Sequence, residues 1–504
     1  MKKKTHRKMN RKVGLILCLI QLILSIVLSV YIIKLGLLPM KYVAVIVVFL
    51  LIFWIIPFLN QIMCRNRTLS GKVMSIAVSV LLITGTVYVA KAHGFVSNIS
   101  GGDKKIDEMV VAVLVDDKAE TLKDTVDYKY GVQYTLKEKD TKDTVAHINK
   151  ELGTEIDTKV CGNLVEQVSA LYDGDVDAII YNKAYTTILK DSFEDFEESV
   201  KIVYQYDIVT KMTEGEALEV VNTPTDPFAI YLSGIDVEGD ISTTGRSDVN
   251  ILAVVNPVSH EILLVTTPRD YYILLPGISA GREDKLTHAG IYGVDASMDA
   301  LSNLYDVDVD FYARVNFTSL PKIIDALGGI DVYSEYEFDT HPYSSISFDT
   351  IHVKKGINHF NGLDALIFSR ERKNLPNGDF DRGKNQQAVI TAMLKRAVSP
   401  AILSGALEIF DSLSENVDTN MSSKQIKDLI KSQIAKPAAW NVTSMSAEGT
   451  PDLKMCYSVP TTELSVCVPD YQSVEKIKTA IDKVVEGEKL EGSERIEDHS
   501  KTEE

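Results

Sequence analysis

Five arginines stand beside acidic and small residues at the predicted ends of strands and helices between Phe228 and Val398. They are Arg246, Arg269, Arg370, Arg372 and Arg382. A planar guanidinium can donate two parallel hydrogen bonds, so a group of arginines is well suited to phosphate oxygens. The carboxylates of Asp236 and Asp248 are suited to a hard divalent cation that bridges the same phosphates. These residue types therefore predict a phosphate-binding site that includes a cation.

The predicted secondary structure brings several of these side chains to one edge of a sheet. Asp236 follows the strand FAIYLSG, Asp248 precedes the strand NILAVVN, and Arg269 and Asp270 close the strand EILLVTT. Both later strands are apolar along their length, which favours a central position in a sheet with both faces covered. Charged residues at the ends of neighbouring strands are expected to border a cleft.

Two further groups lie later in the chain. Arg370 and Arg372 are two positions apart in FSRER and can point the same way. Arg382 and Gln386 are four apart near the start of a predicted helix, so they share a face where the helix favours anions. A single arginine–aspartate pair is more often a surface salt bridge, which contributes about 0–1 kcal/mol. Five arginines at element ends favour a functional site instead.

Other candidate residues have simpler readings. His288 in KLTHAG is either a proton shuttle or a structural histidine, and the DVDVD run at 306–310 is either a cation site or an exposed strand. Cys456 and Cys467 either form a disulfide or remain two buried thiols. The sequence has no GxSxG, Walker or HExxH motif, which argues against a serine hydrolase, an ATP-driven enzyme and a zincin.

The N-terminal region is basic and apolar. Three nearly charge-free runs, 13–33, 42–63 and 73–90, match the length of bilayer spans. Residues 1–102 hold 13 lysines and arginines and no acidic residue. Because basic loops stay cytoplasmic, the basic head is expected inside and the chain after about residue 92 outside the cell membrane.

The rest of the chain is acidic, with 40 basic and 70 acidic residues after residue 102. This balance argues against a body that binds nucleic acid. Strands that alternate with helices in residues 104–222 predict a small α/β domain. The predicted parts are three transmembrane helices (1–96), an accessory extracytoplasmic α/β domain (97–225), a core (226–400), a C-terminal extension packed on the core (401–486) and an acidic disordered tail (487–504).

Several motifs in series resemble the LytR-CpsA-Psr family over roughly residues 228–398. They are SGID, GRSDVNILAVVNP, ILLVTTPRD, KLTHAG, IIDALGGIDV, KKGINHFNGLDALIFSRER and GDFDRGKNQQ. The three spans and the extra domain before the core resemble the CpsA-type capsule members most. The resemblance implies an α/β fold whose core has α-β-α layers around a central mixed sheet.

The resemblance also implies a phosphotransferase on the outer face of the membrane. It would move a glycopolymer, such as a capsular polysaccharide, from a polyprenyl-pyrophosphate carrier to peptidoglycan. Other capsule-assembly membrane proteins are possible partners, and nucleic acid is not expected. The expected cofactor is Mg²⁺, or Mn²⁺ in its place.

Family roles carry over to individual positions of this chain. Asp236 and Asp248 would hold the cation. The expected pyrophosphate ligands are Arg246, Arg269, Arg370, Arg372, Arg382 and Gln386. Among these, Arg269, Arg370 and Arg372 would act in catalysis together with Asp270, which would support Arg269 or act near the cation. The chain departs from many members at Asn385, where they have arginine, so one phosphate contact is either missing or supplied by Lys384.

Two alternatives remain open from the sequence. The same site could use water as the nucleophile, which would make the protein a polyprenyl-pyrophosphate phosphatase. A non-enzymatic envelope sensor or regulator, related to transcription attenuation, is the third reading. The predicted topology leaves only a short basic head and one short loop in the cytoplasm, which argues against direct contact with DNA.

Overall fold

The computed structural model describes residues 2–63, 68–98, 104–211, 221–235, 241–316, 319–342, 350–376, 378–397, 417–435, 438, 440–490 and 494–495. The chain opens with three long helices, α1 (Lys2–Leu35), α2 (Met40–Met63) and α3 (Thr68–Asn98). Each contains an apolar stretch of 23 or 24 residues, which is long enough to cross a bilayer. The three predicted spans are therefore confirmed as helices of sufficient length to anchor the chain in a membrane.

An α/β unit follows the membrane helices. Its strands are β1 (Lys104–Leu114), β2 (Lys129–Gln133), β3 (Asp157–Cys161), β4 (Ala178–Asn182) and β5 (Val200–Lys211). Its helices are α4 (Glu138–Leu152), α5 (Leu164–Tyr172), α6 (Thr186–Ser192) and α7 (Phe196–Ser199). The strand order is β3-β2-β4-β1-β5. This unit matches the accessory domain predicted from the alternation of strands and helices.

The interior strand β1 shows that both faces of this sheet are covered. Val110 and Ala112 belong to an apolar cluster with α5, α6 and α7, whereas Met109, Val111 and Val113 pack in a second cluster with α4. All five side chains are buried. Successive strand residues point to opposite faces, so a continuous apolar run fits a strand between two layers of helices.

The rest of the chain builds a larger three-layer unit. Its strands are β6 (Phe228–Ile235), β7 (Ser247–Asn256), β8 (Glu261–Thr266), β9 (Tyr272–Leu274), β10 (Glu283–Lys285), β11 (Phe311–Asn316), β12 (Ile330–Ser334), β13 (Phe338–Asp339), β14 (His352–Val353), β15 (Gly356–Phe360), β16 (Asp418–Thr419), β17 (Asn441–Ser446), β18 (Gly449–Met455), β19 (Glu463–Pro469) and β20 (Glu494–Arg495). Its helices are α8 (Leu286–Tyr292), α9 (Val294–Tyr305), α10 (Ser319–Ala326), α11 (Gly362–Arg370), α12 (Asp379–Ala397), α13 (Ser423–Ala435) and α14 (Tyr471–Val485).

The main sheet has the order β16-β11-β6-β7-β8-β17-β20. Strand β7 is antiparallel to both β6 and β8, whereas β11 is parallel to β6 and β17 is parallel to β8. One face packs against α8, α9 and α14, and the other packs against α12. The layered α/β core with a central mixed sheet is therefore confirmed.

The predicted boundary after residue 400 does not separate two structural units. Strands β16 and β17 lie beyond it, yet they pair with β11 and β8 inside the main sheet. The segment predicted as an extension packed on the core thus supplies part of the core. The sequence of β17, NVTSMS, contains few apolar residues, so its role in the sheet is set by the exposed edge of β8 rather than by its own pattern.

The accessory unit and the core share one apolar cluster. Val168 and Phe196 of the accessory unit pack in the same cluster as Ile291 of α8 and Val466 of β19. All four side chains are 0–2% exposed. The accessory unit is therefore fused to the core by common packing.

Two smaller predictions concern the C-terminal region. Cys456 and Cys467 are both free thiols, so the disulfide alternative is not realised. Burial raises the pKa of the Cys456 thiol to about 12. Within the predicted tail, residues 494–495 form β20, which pairs with β17. The predicted disorder of residues 496–504 lies outside the described residues.

Candidate active site

Arg269 and Asp248 form an ion pair between the ends of two core strands. Arg269 Nη1 donates to Asp248 Oδ1 at 3.1 Å, and Arg269 Nε lies 3.5 Å from Asp270 Oδ2. The Asp248 side chain is 8% exposed and that of Arg269 is 25% exposed. The predicted proximity of the ends of β7 and β8 is therefore present, and the arginine is held in place by two carboxylates while part of it stays accessible.

Two residues that the sequence did not single out complete this network. Lys285 Nζ lies 3.2 Å from Asp270 Oδ1, and Thr287 Oγ1 donates to Asp248 Oδ1 at 3.4 Å. Burial acts against ionisation of Asp270, but the charges of Lys285 and Arg269 outweigh it and hold the pKa of Asp270 below its ordinary value. Asp270 is thus a carboxylate at neutral pH, which fits its predicted role of supporting Arg269. Both residues belong to the KLTHAG motif, in which the sequence pointed only to His288.

Arg246 lies on the loop that leads into β7. Helix α8 packs closely against this loop, because a Cβ atom added at Gly290 would lie 2.6 Å from the carbonyl oxygen of Gly245. Ser247 and Tyr231 are joined by a buried hydrogen bond of 2.7 Å. The loop is therefore fixed from two sides. Asp236, the other predicted cation ligand, lies outside the described residues.

Arg370 and Arg372 flank a buried carboxylate. Arg370 is the last residue of α11, and Arg372 is exposed. Between them, the fully buried Glu371 accepts hydrogen bonds from the backbone N–H groups of Arg372 at 2.8 Å and His341 at 2.5 Å. Glu371 therefore fixes the backbone of the turn between the two arginines. The two arginines are thereby presented from a braced turn.

Arg382 and Gln386 lie on the first turns of α12. Gln386 is buried, and Asn385 donates from Nδ2 to the carbonyl oxygen of Phe368 at 3.3 Å. Asn385 therefore ties α12 to α11. Lys384 lies 3.1 Å from Glu335, so it is engaged in an ion pair, and its predicted phosphate contact stays a prediction.

A small apolar pocket with a volume of about 20 Å³ lies between the main sheet and α12. Its lining includes Ile235, Val249, Ser369 and Gln386, together with Leu320, Val389 and Ile390. Ile235 precedes Asp236, Val249 follows Asp248, and Ser369 precedes Arg370 in the chain. Gln386 is the predicted phosphate ligand that lines this space, where β6, β7, α11 and α12 meet.

The alternative candidates have structural roles. His288 is fully buried, and its Nδ1 lies 2.7 Å from Asp284 Oδ1. A proton shuttle needs access to substrate, so the structural reading of His288 is the better one. In the DVDVD run, Asp310 Oδ2 accepts from the backbone N–H of Ala229 at 2.9 Å, and Asp306 ends α9 in a left-handed conformation.

The fit of a divalent cation rests on Asp248. Both hydrogen bonds that join its carboxylate to described residues use Oδ1, which leaves Oδ2 as a ligand atom. Asp236 would be the second carboxylate, and it follows the end of β6 in the chain. The described part of the chain contains no group of three or more histidine, cysteine or acidic side chains arranged to hold a metal. Asp248 would therefore supply one ligand atom for a cation. Substrate oxygens would also have to coordinate it.

The chain is similar to known cell-wall proteins. It is 35% identical over 208 residues to "Polyisoprenyl-teichoic acid--peptidoglycan teichoic acid transferase TagU" of Bacillus cereus (strain AH820), which covers 41% of this chain and 65% of that relative. The relative of the same name from Bacillus cereus (strain ATCC 14579) is 32% identical over 254 residues, 50% of this chain and 78% of the relative. The solved structure of B. subtilis TagV has 26% identity and a TM-score of 0.44, and it covers 52% of this chain and 98% of that chain.

A family description also matches the chain. The pattern of the LytR_cpsA_psr family matches residues 196–483. This range contains the strands β6 to β19, including those beyond residue 400, and all the predicted site residues. The chain therefore belongs to the LytR_cpsA_psr family.

Proposed function

We propose that this protein is a glycopolymer phosphotransferase of the bacterial envelope. Its substrates would be a glycan carried on polyprenyl pyrophosphate, such as a capsular polysaccharide, and peptidoglycan. The observation that supports this most is the Arg269–Asp248–Asp270 network, in which two carboxylates hold a partly accessible arginine at the ends of two core strands. A pyrophosphate group is strongly anionic, and a fixed guanidinium is well suited to its oxygens.

The arginines would bind the phosphoryl oxygens and stabilise the charge that develops on them. Arg269 is suited to this role because two carboxylates fix its guanidinium before the substrate arrives. Arg370 and Arg372 would approach from the turn that Glu371 braces, and Gln386 would reach the same substrate from α12. Preorganised donors of this kind cost little reorganisation during the reaction.

The reaction would be a displacement at phosphorus. A hydroxyl oxygen of an acceptor sugar forms a bond to the phosphorus that carries the glycan. The bond from that phosphorus to the bridging oxygen breaks, and polyprenyl phosphate leaves with the electron pair. The acceptor proton passes to a base, and the product is a phosphodiester between glycan and peptidoglycan. A bound Mg²⁺ or Mn²⁺, held by Asp248 and Asp236, would supply neutralising charge at the pyrophosphate.

The membrane helices support a location beside the lipid carrier. With the basic head in the cytoplasm, three spans would put the accessory unit and the core on the outer face. The site would then meet both a carrier lipid in the bilayer and peptidoglycan outside it. Other membrane proteins of capsule assembly would be natural neighbours in this arrangement.

The proposal is tested with the full chain in lipid nanodiscs. The protein is incubated with Mg²⁺, a polyprenyl-pyrophosphate-linked oligosaccharide and peptidoglycan fragments, and joined product is measured by mass. We expect joined product from the wild type and a loss of it in Arg269→Ala. Release of free phosphorylated glycan without joining would identify a phosphatase. An unchanged donor under all conditions would instead support the sensor reading.

A further inference from the structure

A large cleft lies between the accessory unit and the core. It has a volume of about 570 Å³, and residues of both units line it. The accessory unit contributes residues of β1, β4, β5, α6 and α7, and the core contributes the loop from Thr243 to Arg246. A space of this size accommodates a ligand of several rings, because small-molecule sites are typically about 300–1,000 Å³.

The walls of the cleft carry charged, neutral polar and apolar groups at accessible positions. Lys183 Nζ lies 3.1 Å from Glu108 Oε2, and the two side chains are 45% and 24% exposed. Ile202 on β5 is a lining residue that is 46% exposed. Donors and acceptors beside an exposed aliphatic surface match the chemistry of a sugar ring, which presents hydroxyl groups at its rim and C–H groups on its face.

The floor of the cleft is held in one conformation by the accessory unit. The backbone N–H of Thr244 donates to the carbonyl oxygen of Ile106 at 2.9 Å, and the N–H of Ile106 donates to the carbonyl oxygen of Ser242 at 3.0 Å. Thr244 Oγ1 also donates to Asp107 Oδ1 at 3.0 Å. A loop tied to a neighbouring strand in this way is a preorganised binding surface rather than a loose connection.

The cleft includes one of the predicted phosphate ligands in its lining. Arg246 lines the cleft and stands two residues before Asp248, the partner of Arg269. A ligand in the cleft would therefore extend from the phosphate ligands towards the accessory unit. In the proposed reaction, the groups joined to the reacting phosphate on the side away from the lipid are sugars.

We infer that this cleft binds a saccharide next to the reacting phosphate, and that the accessory unit forms one wall of the saccharide site. The inference rests on the proposed function for one point, namely that the part of the ligand nearest the accessory unit is a sugar. The saccharide comes either from the donor glycan or from the peptidoglycan acceptor, and both present the same hydroxyl and C–H surfaces. The accessory unit thereby takes part in substrate recognition.

A pair of matched variants tests the inference by direct binding. Ile202 and Val209 are both exposed apolar residues of β5, at 46% and 56%, but only Ile202 is among the residues that line the cleft. The full chain in detergent micelles is titrated with a peptidoglycan disaccharide–pentapeptide and, separately, with N-acetylglucosamine 1-phosphate. We expect Ile202→Trp to weaken the binding of at least one probe by about tenfold or more and Val209→Trp to leave both unchanged.

The probe that is affected identifies the source of the saccharide. Weaker binding of the peptidoglycan fragment assigns the cleft to the acceptor, and weaker binding of the sugar phosphate assigns it to the donor. If the wild type binds neither probe, or if Ile202→Trp binds both as the wild type does, the inference is wrong.

A second pair of variants examines the polar wall. Lys183→Ala removes a cleft lysine that is paired with Glu108, whereas Lys159→Ala removes a lysine paired with Asp175 outside the residues that line the cleft. We expect only Lys183→Ala to weaken binding of the affected probe, by about threefold to tenfold. Equal effects of the two variants would contradict a polar contact in the cleft.

Turnover measurements separate this inference from the proposed function. If the wild type binds a saccharide in the cleft but joins no product, the transferase proposal fails and the saccharide site stands. If it joins product and Ile202→Trp changes neither probe binding nor the KM of donor or acceptor, the saccharide site fails and the transferase stands.

Discussion

Arg269 is the side chain on which the candidate chemistry depends most. Its guanidinium lies between Asp248 and Asp270, and Lys285 holds Asp270 from the other side. An arginine in this setting has little freedom to rotate, because its planar group matches the carboxylates that flank it. A lysine would offer a point charge without that fork.

Arg269→Lys is therefore expected to lower turnover by about 100-fold, since the variant keeps the charge but loses aligned donors. The rate of product joining at saturating donor is the measurement. Arg282→Lys serves as the control, because Arg282 lies over the ring of Tyr457 at 4.8 Å and is not among the predicted ligands. Equal rates in the Arg269→Lys variant and the control would show that the reaction does not depend on the paired guanidinium donors.

Asp107 is a second residue whose charge matters, this time for stability. It is 1% exposed and lies 2.6 Å from Lys137 Nζ and 3.1 Å from Lys105 Nζ. Burial opposes its ionisation, but the charges of Lys137 and Lys105 outweigh burial and keep the pKa of Asp107 below its ordinary value. A carboxylate with a lowered pKa stabilises the fold above the pKa of about 4 that it has in the unfolded chain, and this contribution is lost as the pH falls through the folded value.

Asp107→Asn should lower the free energy of unfolding at pH 7 by about 3 kcal/mol, because two partly buried lysines lose their partner. The difference from the wild type should shrink as the pH falls below about 4. Thermal unfolding between pH 7 and pH 3 measures both effects. Asp175→Asn, in an exposed pair, is the control. A difference that stays constant across this range would contradict the assignment.

Helix α8 acts as an element that fixes the Arg246 loop. Its Gly290 faces backbone atoms, since an added Cβ would lie 2.6 Å from the Gly245 oxygen and 2.8 Å from the Ser247 nitrogen. Backbone atoms in a packed loop cannot move away from an added methyl group, whereas the end of a flexible side chain could. The spacing between α8 and the loop therefore depends on glycine at this position.

Gly290→Ala is expected to lower stability by about 2 kcal/mol and to reduce turnover, because the methyl group pushes the loop away from α8. Gly383→Ala in α12 is the matched control, since an added Cβ there meets nothing within 4 Å. Unfolding curves and joining rates of both variants are compared. An unaltered Gly290→Ala protein would show that the loop moves freely.

The elements also show what the sequence could and could not predict. The apolar runs of β7 and β8 predicted central strands, and the charged residues at their ends predicted a common cleft. The direct contact between Arg269 and Asp248 was not predicted. Strand β17 was missed, because NVTSMS alternates weakly and is defined by pairing with β8. Lys285 was missed because the β9–β10 hairpin folds it back onto Asp270, a contact that depends on tertiary structure.

At the scale of the whole molecule, the accessory unit and the core are expected to unfold together. Ile291 belongs to core helix α8, yet its side chain is fully buried in the cluster that contains Val168 and Phe196 of the accessory unit. Ile291→Ala should therefore lower stability by about 3 kcal/mol within a single transition. Val160→Ala, at a 62% exposed position, is the control.

Thermal unfolding by circular dichroism, with limited proteolysis of each unit in parallel, measures this coupling. Two separate transitions, with only the core destabilised by Ile291→Ala, would contradict a shared cluster. Loss of both units at one temperature would support it.

The position of β17 has a consequence for how the chain matures during its synthesis. Strand β8 presents an apolar, unpaired edge until residues 441–446 have been made and added beside it. Newly made chains expose this edge for the time needed to synthesise about 180 more residues, at roughly 5–20 residues per second. Unpaired edges recruit other strands, so nascent molecules that are close together risk pairing with each other. A cell that makes this protein would gain from spacing its production or from a chaperone that covers β8 until the last strands arrive.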